Sequence, residues 1–177
     1  METLQEIFEK YKNINGGCGD KGSFHSYLES YEKLFTKREN VNFLEIGVMQ
    51  GHSAMMWSKF FKNSNIYGVD IANNLKFAQE GWNFILHNAT RANFAENIPD
   101  GSFDYIIDDG SHVLEDQILA FFFLFPKLKQ NGIYVIEDVQ NLDSDSKYFK
   151  RLHASCEILD LRDQRPLKDN VLIYYTR

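Results

Sequence analysis

Two pairs of adjacent acids carry the strongest chemical signal in this chain. Asp108 and Asp109 close the run in FDYIIDDGSH, and Glu137 and Asp138 close NGIYVIED. Each pair ends an apolar, strand-like segment. If those segments are neighbouring strands, several carboxylates converge at one edge of a sheet. Like charges packed together raise each other's pKa or require a cation. Oxygen-only ligands select a hard ion such as Mg²⁺. There is no cysteine or multiple-histidine cluster of the kind zinc needs. Successive strand residues point to opposite faces, so both members of a pair need not reach one ion. His112 follows three residues after Asp109, and a histidine can remove a proton near neutral pH. Either acid pair alone reads equally well as solvated strand ends capping the next helix. Both pairs with His112 favour a metal site with an imidazole base beside it.

A second constellation lies earlier, in LEIGVMQGHS, where Gly47 and Gly51 follow an apolar run that contains Glu45. Glycines there let a ligand approach the backbone without a Cβ in the way. The spacing E-x-G-x-x-x-G is neither the G-x-G-x-x-G of a dinucleotide fold nor a phosphate loop, because no Gly-Lys-Ser/Thr follows. Glu45 suits a cationic ligand better than a phosphate. Asp70 ends the next apolar run, NIYGVDI, about where an acid accepts hydrogen bonds from ribose hydroxyls.

The elements that must carry these residues alternate along the chain. Leu4, Ile7, Phe8 and Tyr11 have the spacing of an amphipathic helix. A glycine-rich polar loop from Asn13 to Ser23 follows, then a helical segment to about Phe35. From Val41 onward, VNFLEIG reads as a strand, GHSAMMWSKFF as a helix and NIYGVDI as a strand. Lys76 to Gly81 reads as a helix, then NFILHNA and DYIIDD as strands. Leu114 to Lys129 reads as an apolar helix kinked or ended near Pro126, and NGIYVIED as a fifth strand. Continuous apolar strands alternating with helices predict an α/β fold, a Rossmann-like doubly wound parallel sheet. Cys156–Leu161 and Asn170–Thr176 are expected to close one edge as a hairpin.

The 177 residues predict one domain with a core of its own. A net charge of −6 excludes an overall basic footprint for nucleic acid. Cys18 and Cys156 lack metal spacing and read as reduced thiols of a cytoplasmic protein. The N-terminus carries no signal-peptide pattern, and the longest apolar stretch is too short to span a bilayer. His25 and Tyr27 suit a substrate contact no better than a surface histidine and a core tyrosine. Trp57, Trp82 and the Phe121–Phe123 run read as packing residues; Arg162 and Arg165 either hold an anionic or sugar substrate or are solvated, the second reading being slightly favoured. Gln140 and Asn141 border either an acceptor pocket or the next helix.

LEIGVMQGHS, YGVDI, FDYIIDDGSH and GIYVIEDV together resemble the class I S-adenosylmethionine-dependent methyltransferases. More narrowly they resemble the metal-dependent sugar O-methyltransferases of macrolide tailoring, the mycinamicin and tylosin type. GDKGSFHSYLESYEKLF and the closing DLR…DNVLIYYTR are similar to that group as well, so the resemblance runs from about Asp20 to Arg177. It implies a seven-stranded sheet with an antiparallel C-terminal strand. It implies a single methyltransferase domain, with residues 1–40 as a helical lid and substrate segment and residues 41–177 as the cofactor-binding core. S-adenosylmethionine and Mg²⁺, or another hard divalent ion, are the implied cofactors. Glu45, Gly47 and Gly51 would line the methionine and ribose part, Asp70 would bind the ribose, and Asn88 and Ala89 would reach the adenine. Lys21, Gly22 and Ser23 would fold over the cofactor. Asp109, Glu137 and Asp138 would hold the metal, with Asp108 nearer the cofactor and His112 as base. The acceptor would be a hydroxyl on a sugar or glycosylated small molecule. A catechol or phenol acceptor, and a non-catalytic cofactor-binding protein on the same fold, are the competing readings. No nucleic acid or membrane partner is expected, and a homo-oligomer is compatible with the chain.

Overall fold

The computed structural model describes residues 1–14, 17–76 and 81–177. The proposed helix over Lys76–Gly81 falls largely outside these described residues.

Seven strands form one sheet: β1 (Asn42–Ile46), β2 (Asn65–Asp70), β3 (Trp82–Leu86), β4 (Phe103–Asp108), β5 (Leu128–Ile136), β6 (Glu157–Asp160) and β7 (Val171–Thr176). Their order is β3-β2-β1-β4-β5-β7-β6. β1 to β5 run parallel, while β7 pairs antiparallel with both β5 and β6. The expected hairpin is therefore present, with β7 inserted between β5 and β6. The central strand β4 is buried along its whole length, as a strand covered on both faces must be.

Six helices accompany the strands among the described residues: α1 (Leu4–Tyr11), α2 (Leu28–Leu34), α3 (His52–Phe60), α4 (Ala92–Glu96), α5 (Leu114–Leu124) and α6 (Leu142–Leu152). α1 begins with a capping box in which Thr3 and Glu6 satisfy each other's backbone N–H groups. Leu4, Ile7 and Phe8 of α1 are buried in the same apolar cluster as Tyr31 and Phe35 from the second helical segment and Trp57 of α3. Packing therefore does not divide the chain at residue 40. Trp57 is completely buried, with Tyr31 at 5.3 Å and Phe43 at 5.1 Å between ring centroids. A second cluster, with Phe121, Tyr134 and Tyr175, fills the other face of the sheet.

α5 is shorter than its apolar composition suggests. It stops at Leu124, a 3-10 turn carries Pro126, and β5 already begins at Leu128. Proline has no N–H for a continuing helix. The start of β5 is irregular: register shifts against β4 between Phe103 and Tyr105, where Asn131 takes a left-handed φ of 63°. The short α4 was not expected from the sequence. No helix among the described residues is long and apolar enough to cross a membrane.

Candidate metal and cofactor site

The sheet reverses its winding between β1 and β4, and open α/β sheets bind ligands outside the carboxyl ends of strands at such a point. Ile46 and Asp108 are register partners there, as are Asp108 and Ile136. The residue after each of β1, β4 and β5 continues the ladder onto the neighbouring strand: Gly47 N–H donates to Val69 O of β2, Asp109 N–H to Ile46 O of β1 and Glu137 N–H to Asp108 O of β4, each at 2.9 Å. Gly47 has φ +78°, and a Cβ on it would collide with the Asp109 carbonyl and come within 2.8 Å of Gly110 Cα. Only glycine allows these two strand ends to approach so closely.

Two adjoining hollows open above this point, of about 210 and 520 Å³. Gly47, Asp70 and Gly110 line both, so they form one cleft of the size that holds a small molecule. Val69, Asn88, Ala89, Thr90 and Asp108 line the smaller one. Lys21, Ser23, Asp109, His112 and Asp138 line the larger one. Asp70 accepts from Val48 N–H at 3.1 Å, Met49 N–H at 2.9 Å and Ala72 N–H at 3.0 Å. A carboxylate has about four acceptor positions, so one is left over for a ligand. The Asn88 side-chain oxygen is tied to Thr90 N–H at 2.8 Å and to its hydroxyl at 2.7 Å, which leaves the amide N–H₂ as what Asn88 offers. Asp108 accepts from Gly110 N–H at 3.2 Å, and burial pushes its carboxyl up to about 7.

Beside the cleft lies the acid cluster. Ligand atoms of Asp109, His112 and Asp138 lie within 4.8 Å of one another. His112 Nε2 is 3.9 Å from Asp109 Oδ1 and 3.9 Å from Asp138 Oδ2, while its buried Nδ1 has no partner. Asp138 Oδ1 accepts from the Tyr27 hydroxyl at 2.6 Å, and His25 Nδ1 stands 3.6 Å away, stacked on the Tyr27 ring. His112 and Asp138 adopt left-handed φ values of 58° and 54°. Non-glycine residues do so only in a few per cent of cases, Asp and His more readily than most, and such backbone clusters at functional sites. Burial pushes the Asp109 carboxyl up to about 8. Two carboxylates and an imidazole form a donor set that could hold a divalent ion, the carboxylate oxygens being what suits a hard one.

Glu137 stands apart from that trio. One of its oxygens accepts from the Tyr31 hydroxyl and the other lies 2.9 Å from Lys21 Nζ. Lys21 is only 1% exposed, and its ammonium also sits 2.5 Å from Asp109 Oδ2 and 3.6 Å from Glu45 Oε1. Burial alone would lower this amine, but Asp109, Glu137 and Glu45 hold it well above its ordinary value. Burial and then Asp109 raise the Glu137 carboxyl well above the usual range.

The structure alters several expected positions. Glu45 is 1% exposed and lines neither hollow; its oxygens accept from Ser53 Oγ at 2.6 Å and Trp57 Nε1 at 3.1 Å. A buried carboxylate needs such donors, and here they come from one face of α3. Gly51 is the N-cap of α3 with φ 86°, between Gln50 and His52, which line the larger hollow. Gly22 packs toward Leu28 and Phe8. Lys21 does reach the larger hollow, but its charge is spent on carboxylates. Arg165 is not a free surface residue: it donates to the Ser23 carbonyl and, at 3.2 Å, to the Gly22 carbonyl, pinning the segment that carries Lys21. Arg162 pairs with Asp160 at 2.6 Å on the surface. Tyr27 was weighed only as a substrate contact or a core residue and Tyr31 escaped notice, although their spacing of four puts them on one side of a helix.

Residues 44–139 match a methyltransferase domain family. The chain is 33% identical over 132 residues to the 8-demethyl-8-alpha-L-rhamnosyl tetracenomycin-C 2'-O-methyltransferase of Streptomyces olivaceus, covering 68% of this chain and 35% of that protein. It is 34% identical over 129 residues to the mycinamicin VI 2''-O-methyltransferase of Micromonospora griseorubida, covering 67% and 32%. Among solved structures, the MycE methyltransferase of the mycinamycin biosynthetic pathway, in complex with Mg, SAH and mycinamycin VI, superposes with a TM-score of 0.67 at 31% identity, over 79% of this chain and 38% of that one. The chain thus spans about a third of the length of the curated relatives it matches.

Proposed function

The chain belongs to the methyltransferase domain family, and from that premise we propose that it transfers a methyl group from S-adenosylmethionine to a hydroxyl of a sugar or glycosylated small molecule, assisted by a divalent ion. The observation that carries this reading is the continuity of the cleft at the strand switch with the Asp109–His112–Asp138 cluster. Relatives of similar sequence are named as O-methyltransferases of glycosylated antibiotics, which supports the acceptor class.

When bound, the two groups supply an activated methyl and a Lewis acid that makes an acceptor hydroxyl more acidic. The chain's own residues do the rest. Asp70 offers its remaining acceptor position to the ribose, and Asn88 and Ala89 border the adenine. Gly47 keeps the backbone out of the way. Asp109 and Asp138 would hold the cation beside His112, whose Nε2 would take the acceptor proton. A further hollow of about 410 Å³ beyond His112, lined by Val113, Val139, Gln140 and Asn141, is the side from which an acceptor would enter. Holding both reactants in line supplies much of the rate.

We assign residues 1–177 to one methyltransferase domain, with residues 1–40 as its lid and substrate segment, of which Gly19, Asp20, Lys21 and Ser23 line the larger hollow. The unpaired thiols Cys18 and Cys156 support a cytoplasmic setting. The test is direct. Asp109→Ala and His112→Ala should each lower turnover at least a hundredfold, with SAH binding by calorimetry within a few-fold of wild type. Chelation should abolish turnover and Mg²⁺ should restore it. Full activity in the chelated protein would remove the metal from the mechanism, and cofactor binding without product across diverse acceptors would favour a non-catalytic protein.

A further inference from the structure

Lys21 Nζ lies 2.5 Å from Asp109 Oδ2 and 2.9 Å from Glu137 Oε2. Its ammonium therefore fills the space between two of the three carboxylates that the resemblance gives to the metal. Mg²⁺ approaches its oxygens to about 2.1 Å. Two cations on the same pair of oxygens would repel strongly. With Lys21 seated, the ligand atoms that come together are those of Asp109, His112 and Asp138. That set spends His112 Nε2, the nitrogen facing both acids, on the ion. The other ring nitrogen is buried, so the imidazole could not then accept a proton from an acceptor.

We propose that Lys21 and the divalent ion compete for Asp109 and Glu137, so that an ion held there with Asp138 displaces the Lys21 ammonium and leaves His112 free to take a proton. The proposal rests on the metal-assisted reading above. The carboxylates are prepared for it. Tyr31 holds one oxygen of Glu137 and Tyr27 holds Asp138 Oδ1 at 2.6 Å, and neither of those oxygens faces Lys21. The oxygens left to share are those that Lys21 and His112 face, so the exchange asks only the lysine to move. Lys21 sits in a compact turn in which Asp20 O accepts from Ser23, Phe24 and His25 N–H. Gly19 and Ser23 of that turn line the larger hollow, so a displaced ammonium emerges into the cleft itself. Cation occupancy and the state of the cleft are thereby linked through one side chain.

Amine labelling tests this on the wild-type chain. The protein is treated with an acylating reagent in chelator or in saturating Mn²⁺, and acylation of each lysine is read by mass spectrometry. Lys21 should be protected in chelator and labelled at least tenfold faster with Mn²⁺, at a midpoint matching Mn²⁺ binding followed by electron paramagnetic resonance. Lys21→Met should bind Mn²⁺ at least tenfold more tightly than wild type. Mn²⁺ bound with Lys21 still protected overturns the competition and leaves the metal reading standing. No Mn²⁺ binding to either protein overturns both. Binding to Lys21→Met alone supports the competition, with Lys21 the stronger occupant. If Lys21→Met does not fold, the wild-type labelling decides.

Discussion

Replacing Asp70 by alanine separates what this carboxylate does for the protein from what it does for a ligand. Its three acceptor bonds to Val48, Met49 and Ala72 N–H tie the loop after β1 to the end of β2. A hydrogen bond to a charged group contributes about 1.5–3 kcal/mol. Met49 is 68% exposed, so water replaces the carboxylate there at small cost; the other two bonds are part-buried and lose more. A loss of about 3 kcal/mol follows, or about 6–12 °C in melting temperature for a chain of this length. Ligand affinity falls separately. Losing one acceptor for a ribose hydroxyl costs about 1.5–3 kcal/mol, about ten- to over a hundredfold in Kd for SAH. Asp70→Asn makes the comparison sharper. If its oxygen stays on Val48 and Met49, its N–H₂ meets the Ala72 N–H, donor against donor, so the asparagine variant should fall between wild type and alanine. Scanning calorimetry and SAH titration read the two effects independently. An Asp70→Ala protein that melts within 2 °C of wild type and binds SAH within about threefold would refute the reasoning.

Gly47→Ala should lose at least tenfold in SAH affinity and more stability in urea than Gly101→Ala. Both glycines have positive φ, but a Cβ at Gly101 meets nothing within 4 Å while one at Gly47 strikes the Asp109 backbone; equal losses would mean the approach is not tight. The pH dependence follows from Asp108, whose carboxyl stands at about 7 in the fold against about 3.9 unfolded. The native state then binds more protons between these values. The stability so contributed is complete below about pH 4 and is lost as pH rises through 7. Chelator-treated wild type should therefore lose more stability between about pH 5 and 8 than Asp108→Asn, and parallel urea curves would contradict the assignment.

Much of this architecture was legible because it rests on short-range pattern. Continuous apolar runs at 42–46, 103–108 and 133–136 read as strands covered on both faces, and helices between them forced parallel pairing. Acids at the ends of β4 and β5 follow from the same reading, since parallel neighbours put their carboxyl ends together. The limits of α5 were less legible: the apolar run from Ile118 to Phe125 carries on through Pro126 to Leu128 with little polar punctuation, and its division into helix, 3-10 turn and strand depends on β5 reaching back to pair with β4. Tertiary context overrides propensity in such a run.

The site shows the same division. The residue types and their spacing determined where acids, glycines and histidine would gather, and Gly47 because no other residue fits between two strand ends. Partner choice within the gathering belonged to the tertiary structure. Glu45, two residues before Gly47, turns to Ser53 and Trp57 and into the interior. Glu137 and Asp138 are adjacent in sequence, yet one faces Lys21 and Tyr31 and the other faces Tyr27 and His112. The alternation of side chains along a strand end separates them, and residues more than a hundred positions away decide what each meets. Lys21 is the clearest instance: in sequence it is a charged residue in a glycine-rich loop, and only the fold encloses it among three carboxylates, because an ammonium without water must be surrounded by opposite charge.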